Sequence, residues 1–173
     1  MSYKGRDVVM GGLFLALALV IPILFHAAGL GSAFLPMFFP IIAAGFLIAS
    51  PVALVVGIAS PLLSALLTGM PPFFPPTAFI MMAEGLVLAG IPSLLYQKYR
   101  FNSYLTLIIT LAADRMVLFA SVIVVSKWLD LPENVLGWAS IIQGLPGIVL
   151  IMLIIPPLIN KMKKRMAIIS LME

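Results

Sequence analysis

The sequence has no cysteine, a single histidine and only six acidic residues among 173. Without cysteine there are no disulfides, no thiol catalysis and no cysteine-ligated metal. One histidine leaves a conventional zinc site short of ligands. Charged residues make up 9% of the chain and hydrophobic residues 63%, whereas an ordinary soluble domain is about a quarter charged and about half apolar. With a mean hydropathy of +1.22, little polar surface remains to clothe a soluble domain. A bilayer core of roughly 30 Å takes about 20 mostly apolar residues per helix, so there is material for about five or six spans. The apolar runs are continuous, unlike the period-two alternation of a membrane barrel. These totals predict an all-α integral membrane protein, with residues 1–173 forming one membrane domain.

Proline, glycine and charge punctuate the chain into six helices. The first is expected over about 8–28, followed by a loop from Gly29 to Pro36. A short second helix covers about 37–49, Ser50-Pro51 makes a tight turn, and a third helix runs about 52–69. The segment Met70-Pro-Pro-Phe-Phe-Pro-Pro76 is too rich in proline to be helical. Further helices are expected over about 77–96, 103–127 and 136–160. The second helix is short for a span, so it must lie against protein or beside a thinned bilayer. The first apolar run is long and lacks a small-residue cleavage site, so no cleavable signal peptide is expected.

A net charge of +4 would point to nucleic acid in a soluble chain. Here the excess sits at helix ends, where it sets topology, and no nucleic-acid partner is expected. With the N-terminus inside, Lys4, Arg6, Lys98, Arg100, Lys161, Lys163, Lys164 and Arg165 fall on the cytoplasmic side and only Lys127 outside. The positive-inside rule therefore predicts six spans with both termini cytoplasmic. Trp128 and Trp138 flank one outer loop and Tyr96, Tyr99 and Tyr104 an inner one, as interfacial aromatics do. Pro71, Pro72, Pro75 and Pro76 stiffen another outer loop. It is either a rigid turn or a preshaped wall over an outward pocket.

Few polar side chains fall within the spans, where a charge costs at least about 2.5–3.5 kcal/mol on insertion scales. Glu84 lies roughly 10 Å from the outer end of the fourth helix at 1.5 Å per residue. Asp114 and Arg115 sit near the middle of the fifth, Gln143 lies in the outer half of the sixth, and His26 closes the first. Their shared outer depth predicts a pocket open to the outside. The cytoplasmic half is expected to offer no polar continuation. Adjacent helical residues diverge by about 100°, so one of Asp114 and Arg115 is expected to face the site while the other pairs with Glu84. An ion pair that merely locks two helices is the alternative for Glu84 and Arg115. For Gln143 it is an interhelical hydrogen bond, and for His26 a purely interfacial position.

Small residues at spacing four mark close helix contacts: Gly12 with Ala16, Ala49 with Ala53 and Gly57, Ser60 with Ser64, and Gly85 with Ala89. Gly12 and Ala16 lie near the cytoplasmic end of the first helix, where a partner could dock. Enzyme readings fare badly. There is no G-x-S-x-G nucleophile elbow. The two membrane carboxylates have an arginine beside them, which opposes the shared-proton arrangement of an aspartyl protease. No phosphate-binding glycine loop is present, and the internal repeats of stand-alone secondary transporters are not visible.

Four stretches carry a family resemblance. Phe34-Leu-Pro-Met-Phe-Phe-Pro-Ile-Ile-Ala-Ala-Gly-Phe46, Ser60-Pro-Leu-Leu-Ser-Ala-Leu-Leu-Thr-Gly-Met-Pro-Pro72, Met82-Ala-Glu-Gly85 and Gln143-Gly-Leu-Pro-Gly-Ile148 resemble substrate-binding S components of energy-coupling factor transporters. Phe38 departs from the Pro-Met-His-x-Pro of many members. The resemblance implies a non-enzymatic subunit of a prokaryotic plasma membrane, without a cofactor. It would capture a water-soluble vitamin or related micronutrient outside and deliver it with a transmembrane T component and two cytoplasmic ATPases. By position it implies substrate contacts from Glu84, Asp114, Arg115 and Gln143, and docking on the T component through Gly12 and Ala16. His26 and the proline loop are expected at the pocket mouth from their depth alone. The other class of function is a membrane protein that binds no solute, either an assembly factor or a small hydrolase.

Overall fold

A computed structural model of the chain describes residues 5–74, 76–130 and 144–169, the side chains of 32 and 163–169 excepted. These residues are helical, with no strand among them. The helices are α1 (Gly5–Ala27), α2 (Gly31–Phe34), α3 (Phe38–Leu47), α4 (Ser50–Thr68), α5 (Thr77–Pro92), α6 (Ser103–Trp128) and α7 (Leu145–Ile169). A π-helical stretch, Ser93–Lys98, continues α5. Five helical segments are long and apolar enough to cross a membrane: Gly5–Ala27, Ser50–Thr68, Thr77–Lys98, Ser103–Trp128 and Leu145–Met162. Their outward faces carry Val9, Leu24, Leu67, Phe79, Met116 and Leu153, all strongly exposed. Water penalises apolar surface on that scale and lipid does not. The chain is a multi-pass helical membrane protein.

Two ends of the bundle are chemically distinct. A Cβ placed on Gly11 of α1 would strike Val52 at the start of α4, and His26 and Thr68, at the other ends of these helices, line one cavity, so α1 and α4 run parallel from the same end. Arg6 belongs to that end, as do Lys98 and Arg100 where the π-helical stretch closes beside α3. Lys161 of α7 joins them, because Ser103 Oγ donates to Asn160 Oδ1 at 3.0 Å. The chain must therefore return from the far end between α1 and α4. α3 makes that return. It has ten residues and rises only about 15 Å. Eight of them, including Ile41, Ile42 and Phe46, are buried among other helices. The short second helix thus lies against protein, as its length demands.

Local chemistry sets the helix ends. Pro51 occupies the first turn of α4, where its missing N–H costs nothing. Gly69 ends α4 in the left-handed region at φ 73° and donates to Ala65 O, a cap that glycine adopts without strain. Asn102 caps α6 by accepting from the Tyr104 N–H at 2.8 Å. The expected fourth helix over 77–96 is not regular throughout. Pro92 cannot donate to the preceding turn, and the backbone beyond it widens into the π form, with Tyr99 N donating to Leu94 O. Ser93 Oγ and Gln97 Nε2 then satisfy the carbonyls at the end of α3. Ser93 donates to Gly45 O, and Gln97 donates to Gly45 O and Ile48 O at 2.7 and 2.8 Å. In lipid no water could do this.

α4 packs most extensively on α5, which also contacts α3 and α6. The α4–α5 contact is backbone against backbone. A Cβ on Gly57 would collide with the Gly85 carbonyl, and one on Gly85 with the Gly57 carbonyl. Two differences from the expected boundaries stand out. One turn of helix, Gly31–Phe34, sits inside the expected loop 29–36. The last helix continues beyond 160 to Ile169, because lysine, arginine and methionine are good helix formers. Trp138 and the expected helix start at 136 lie outside the described residues.

Candidate functional site

The proline loop is tied back onto the helices that it joins. Thr68 Oγ1 donates to Ser64 O at 2.8 Å, and Ser64 Oγ donates to Met70 O at 2.6 Å. The Met70 N–H in turn donates to Thr68 Oγ1. On the other side Ala78 N donates to Pro72 O at 3.1 Å, and the rings of Phe73 and Phe79 lie 5.9 Å apart. The Met70–Pro71 peptide is cis. Pro75 lies outside the described residues.

Beneath this loop is a cavity of about 640 Å³, at the end of the bundle opposite Arg6, Lys98, Arg100 and Lys161. That size falls in the range of small-molecule sites, about 300–1,000 Å³. α1 contributes His26, the α4–α5 loop Pro71 and Pro72, α5 Glu84 and α6 Arg115. Apolar side chains such as Met37, Phe38, Ile80, Met81 and Leu118 make most of the remaining wall. The His26 ring packs against Gly31, where any Cβ would collide with it.

Charge is concentrated in one place. Arg115 Nη2 lies 2.6 Å from Asp114 Oδ2 and 3.2 Å from Glu84 Oε1. Arg115 Nε also donates to Asp114 Oδ2, at 3.0 Å. Glu84 is 3% exposed and Asp114 fully buried. Asp114 therefore sits behind Arg115 and is absent from the cavity wall. The expected division of labour between these two neighbours does not hold. Asp114 lies outside the cavity wall, although it shares a helical face with Leu118, which lines it. Arg115, however, is long enough to line the cavity and bond both carboxylates at once. Among the described residues no group of three histidine or acidic side chains is placed to hold a metal ion.

The expectation that the half nearer the basic end is devoid of polar groups is also incorrect. Ser103, Thr106, Thr110 and Asp114 are all buried on one face of α6, at a spacing of three or four residues. Thr110 Oγ1 donates to Thr106 O at 2.7 Å. Thr106 Oγ1 and Asp114 Oδ1 have no partner among the described residues. A buried polar row therefore runs from the basic end to the charge cluster. It is visible in the sequence only once the inward face of α6 is known.

The fold thus brings His26, Glu84 and Arg115 to one cavity and sets Asp114 directly behind it. Gln143 lies outside the described residues. Gly12 and Ala16 are exposed on α1, Gly12 in the half away from the cavity and Ala16 at the midpoint of the helix, with open space where a Gly12 Cβ would be. Thr68, Met81, Leu118 and Val122, not singled out from the sequence, also line the cavity, as do Ser64 and Phe38, which the sequence marked for other reasons. Helical spacing was the available signal. Thr77, Met81 and Glu84 share one face, as do Arg115, Leu118 and Val122. Compared with family models, curated proteins and solved structures, the chain matches none.

Proposed function

We propose that this chain is the solute-binding S subunit of an energy-coupling factor importer in a prokaryotic cell membrane. The observation that carries the proposal is the cavity. It has the volume of a small-molecule site, lies under a stiff proline loop, and has a partly buried Glu84–Arg115 pair in its wall. Bilayer-buried charges that line a cavity serve binding or transport more often than packing. The family resemblance of the Ser60–Pro72 stretch, which forms part of this wall, supports the same reading. So does the distribution of Lys and Arg. Under the positive-inside rule the basic end is cytoplasmic and the cavity opens outward. α3 is then the short sixth crossing, and both termini are cytoplasmic.

In this mechanism the chain takes a vitamin or related micronutrient from outside, and the outer helix ends and proline loop exclude water from it. The chain has no nucleotide-binding loop, so concentrating the solute requires partners. A transmembrane T component would dock near Gly12 and Ala16, and two cytoplasmic ATPases would supply energy. Proteoliposomes provide the test, with whatever small molecule co-purifies with the chain in native mass spectrometry as the labelled solute. Accumulation is expected with the T component, both ATPases and internal ATP, and not with the lone chain under a proton or sodium gradient. Gradient-driven accumulation by the lone chain would make it a secondary transporter. Absence of any bound molecule and of any T-component complex would remove the proposal.

A further inference from the structure

The charges around the cavity do not balance. Glu84 and Asp114 face one guanidinium, and that guanidinium is held more closely from behind. Asp114 Oδ2 accepts from both Arg115 Nε and Nη2, at 3.0 and 2.6 Å, whereas Glu84 receives one longer bond at 3.2 Å. Asp114 is outside the cavity wall and Glu84 is in it. Asp114 therefore competes with Glu84 for Arg115, and Glu84, the more weakly bonded of the two, is the acidic group that the cavity meets. No other lysine or arginine of the described residues lines the cavity. Of the hydroxyls in the wall, those of Ser64 and Thr68 are engaged in holding the proline loop. A buried, incompletely compensated carboxylate is costly, and a ligand that supplies the missing charge recovers that cost.

The rest of the wall specifies the body of such a ligand. Phe38, Met37, Met81 and Leu118 offer an aromatic ring, two polarizable thioethers and a branched aliphatic chain. Thioethers favour contact with aromatic rings, and an aromatic face attracts a cation. We infer that the cavity takes a monovalent organic cation, an apolar or aromatic body bearing one protonated or quaternary nitrogen, with Glu84 as its counter-ion. Asp114 is then a positioning residue that keeps Arg115 from cancelling Glu84. This rests on the solute-binding function proposed above and narrows its substrate class.

The test uses three probes that share a phenyl body and differ in charge: 2-phenylethylammonium, 2-phenylethanol and 3-phenylpropionate, each at millimolar concentration. Thermal unfolding of the purified full chain in detergent reports binding. The ammonium is expected to raise the unfolding temperature and the alcohol and carboxylate are not. Glu84→Gln should weaken the ammonium roughly tenfold or more, the scale of one charged hydrogen bond, and Glu84→Asp should preserve the preference. Asp114→Asn should also weaken it, although Asp114 cannot touch a ligand, because the freed Arg115 turns to Glu84. If Glu84→Gln does not fold, Asp114→Asn carries the same comparison. Preference for the carboxylate, equal response to all three, response to none, or a cation preference unchanged in a folded Glu84→Gln or Asp114→Asn would overturn the inference. None of those results touches solute binding itself, which falls only if the purified chain carries no small molecule and forms no complex with a T component.

Discussion

Gly57 on α4 and Gly85 on α5 meet carbonyl to α-carbon, with no space for a side chain on either. This contact holds α5 at the distance from α4 at which Glu84, the neighbour of Gly85, reaches Arg115 on α6. Without a hydrophobic force between helices in lipid, such close approach supplies the van der Waals energy of association. Gly57→Leu or Gly85→Leu should therefore destabilise the protein at or above the upper end of the about 1–3 kcal/mol typical of overpacking. The measurement is thermal unfolding in detergent. An unfolding temperature equal to that of the wild type would show that α4 and α5 can separate without loss.

Arg115 is bonded to both buried acidic side chains, so its removal should harm more than the removal of either. Arg115→Ala leaves Glu84 and Asp114 uncompensated, and breaking a buried pair in this way costs about 3–5 kcal/mol. Glu84→Gln keeps the Asp114–Arg115 pair and should cost less. The order of unfolding temperatures decides the point. If Arg115→Ala were the more stable of the two, the cluster would have to be held together by something other than its arginine.

For the solute co-purified with the chain, Glu84→Ala should weaken binding by at least about 1.5 kcal/mol, roughly tenfold. Charged hydrogen bonds in a water-poor site are stronger than those at the surface. Titration calorimetry of folded variants gives the answer. Unchanged affinity would make the Glu84–Arg115 pair a helix lock and no part of the binding wall.

Thr106 Oγ1 is buried without a partner among the described residues. An unsatisfied buried hydroxyl costs about 1–3 kcal/mol, so the isosteric Thr106→Val should be neutral or stabilising. A marked loss of stability would instead show that Thr106 bonds an ordered water on the polar row leading to Asp114.

Gly12 and Ala16 face outward, so bulk added there meets nothing in the chain itself. Gly12→Leu and Ala16→Leu should leave folding and solute affinity intact while abolishing co-purification with the T component and uptake. Both activities are read on the same reconstituted assembly. Retained uptake in both variants would move the docking surface elsewhere.

Hydropathy and punctuation alone determined the helical membrane class, and most helix positions with it. Residues such as Pro51, Gly69 and Asn102 act on their immediate neighbours, so their effect is legible without knowing the fold. Depth was legible as well, because rise per residue converts position into height. Glu84, Arg115 and His26 could thus be assigned to one end of the bundle. The direction of each side chain was not legible. It depends on how far each helix is rotated about its axis, and contacts such as Gly57–Gly85 and Gly45–Ala89 decide that rotation. Only the tertiary structure put Asp114 behind Arg115, aligned Thr106 and Thr110 with it, and tied Gln97 to the end of α3. Each of these joins residues from distant positions or gives neighbours on one helix different surroundings. A one-dimensional pattern records spacing, and in a membrane helix apolar on every face, spacing carries little information about which face turns inward.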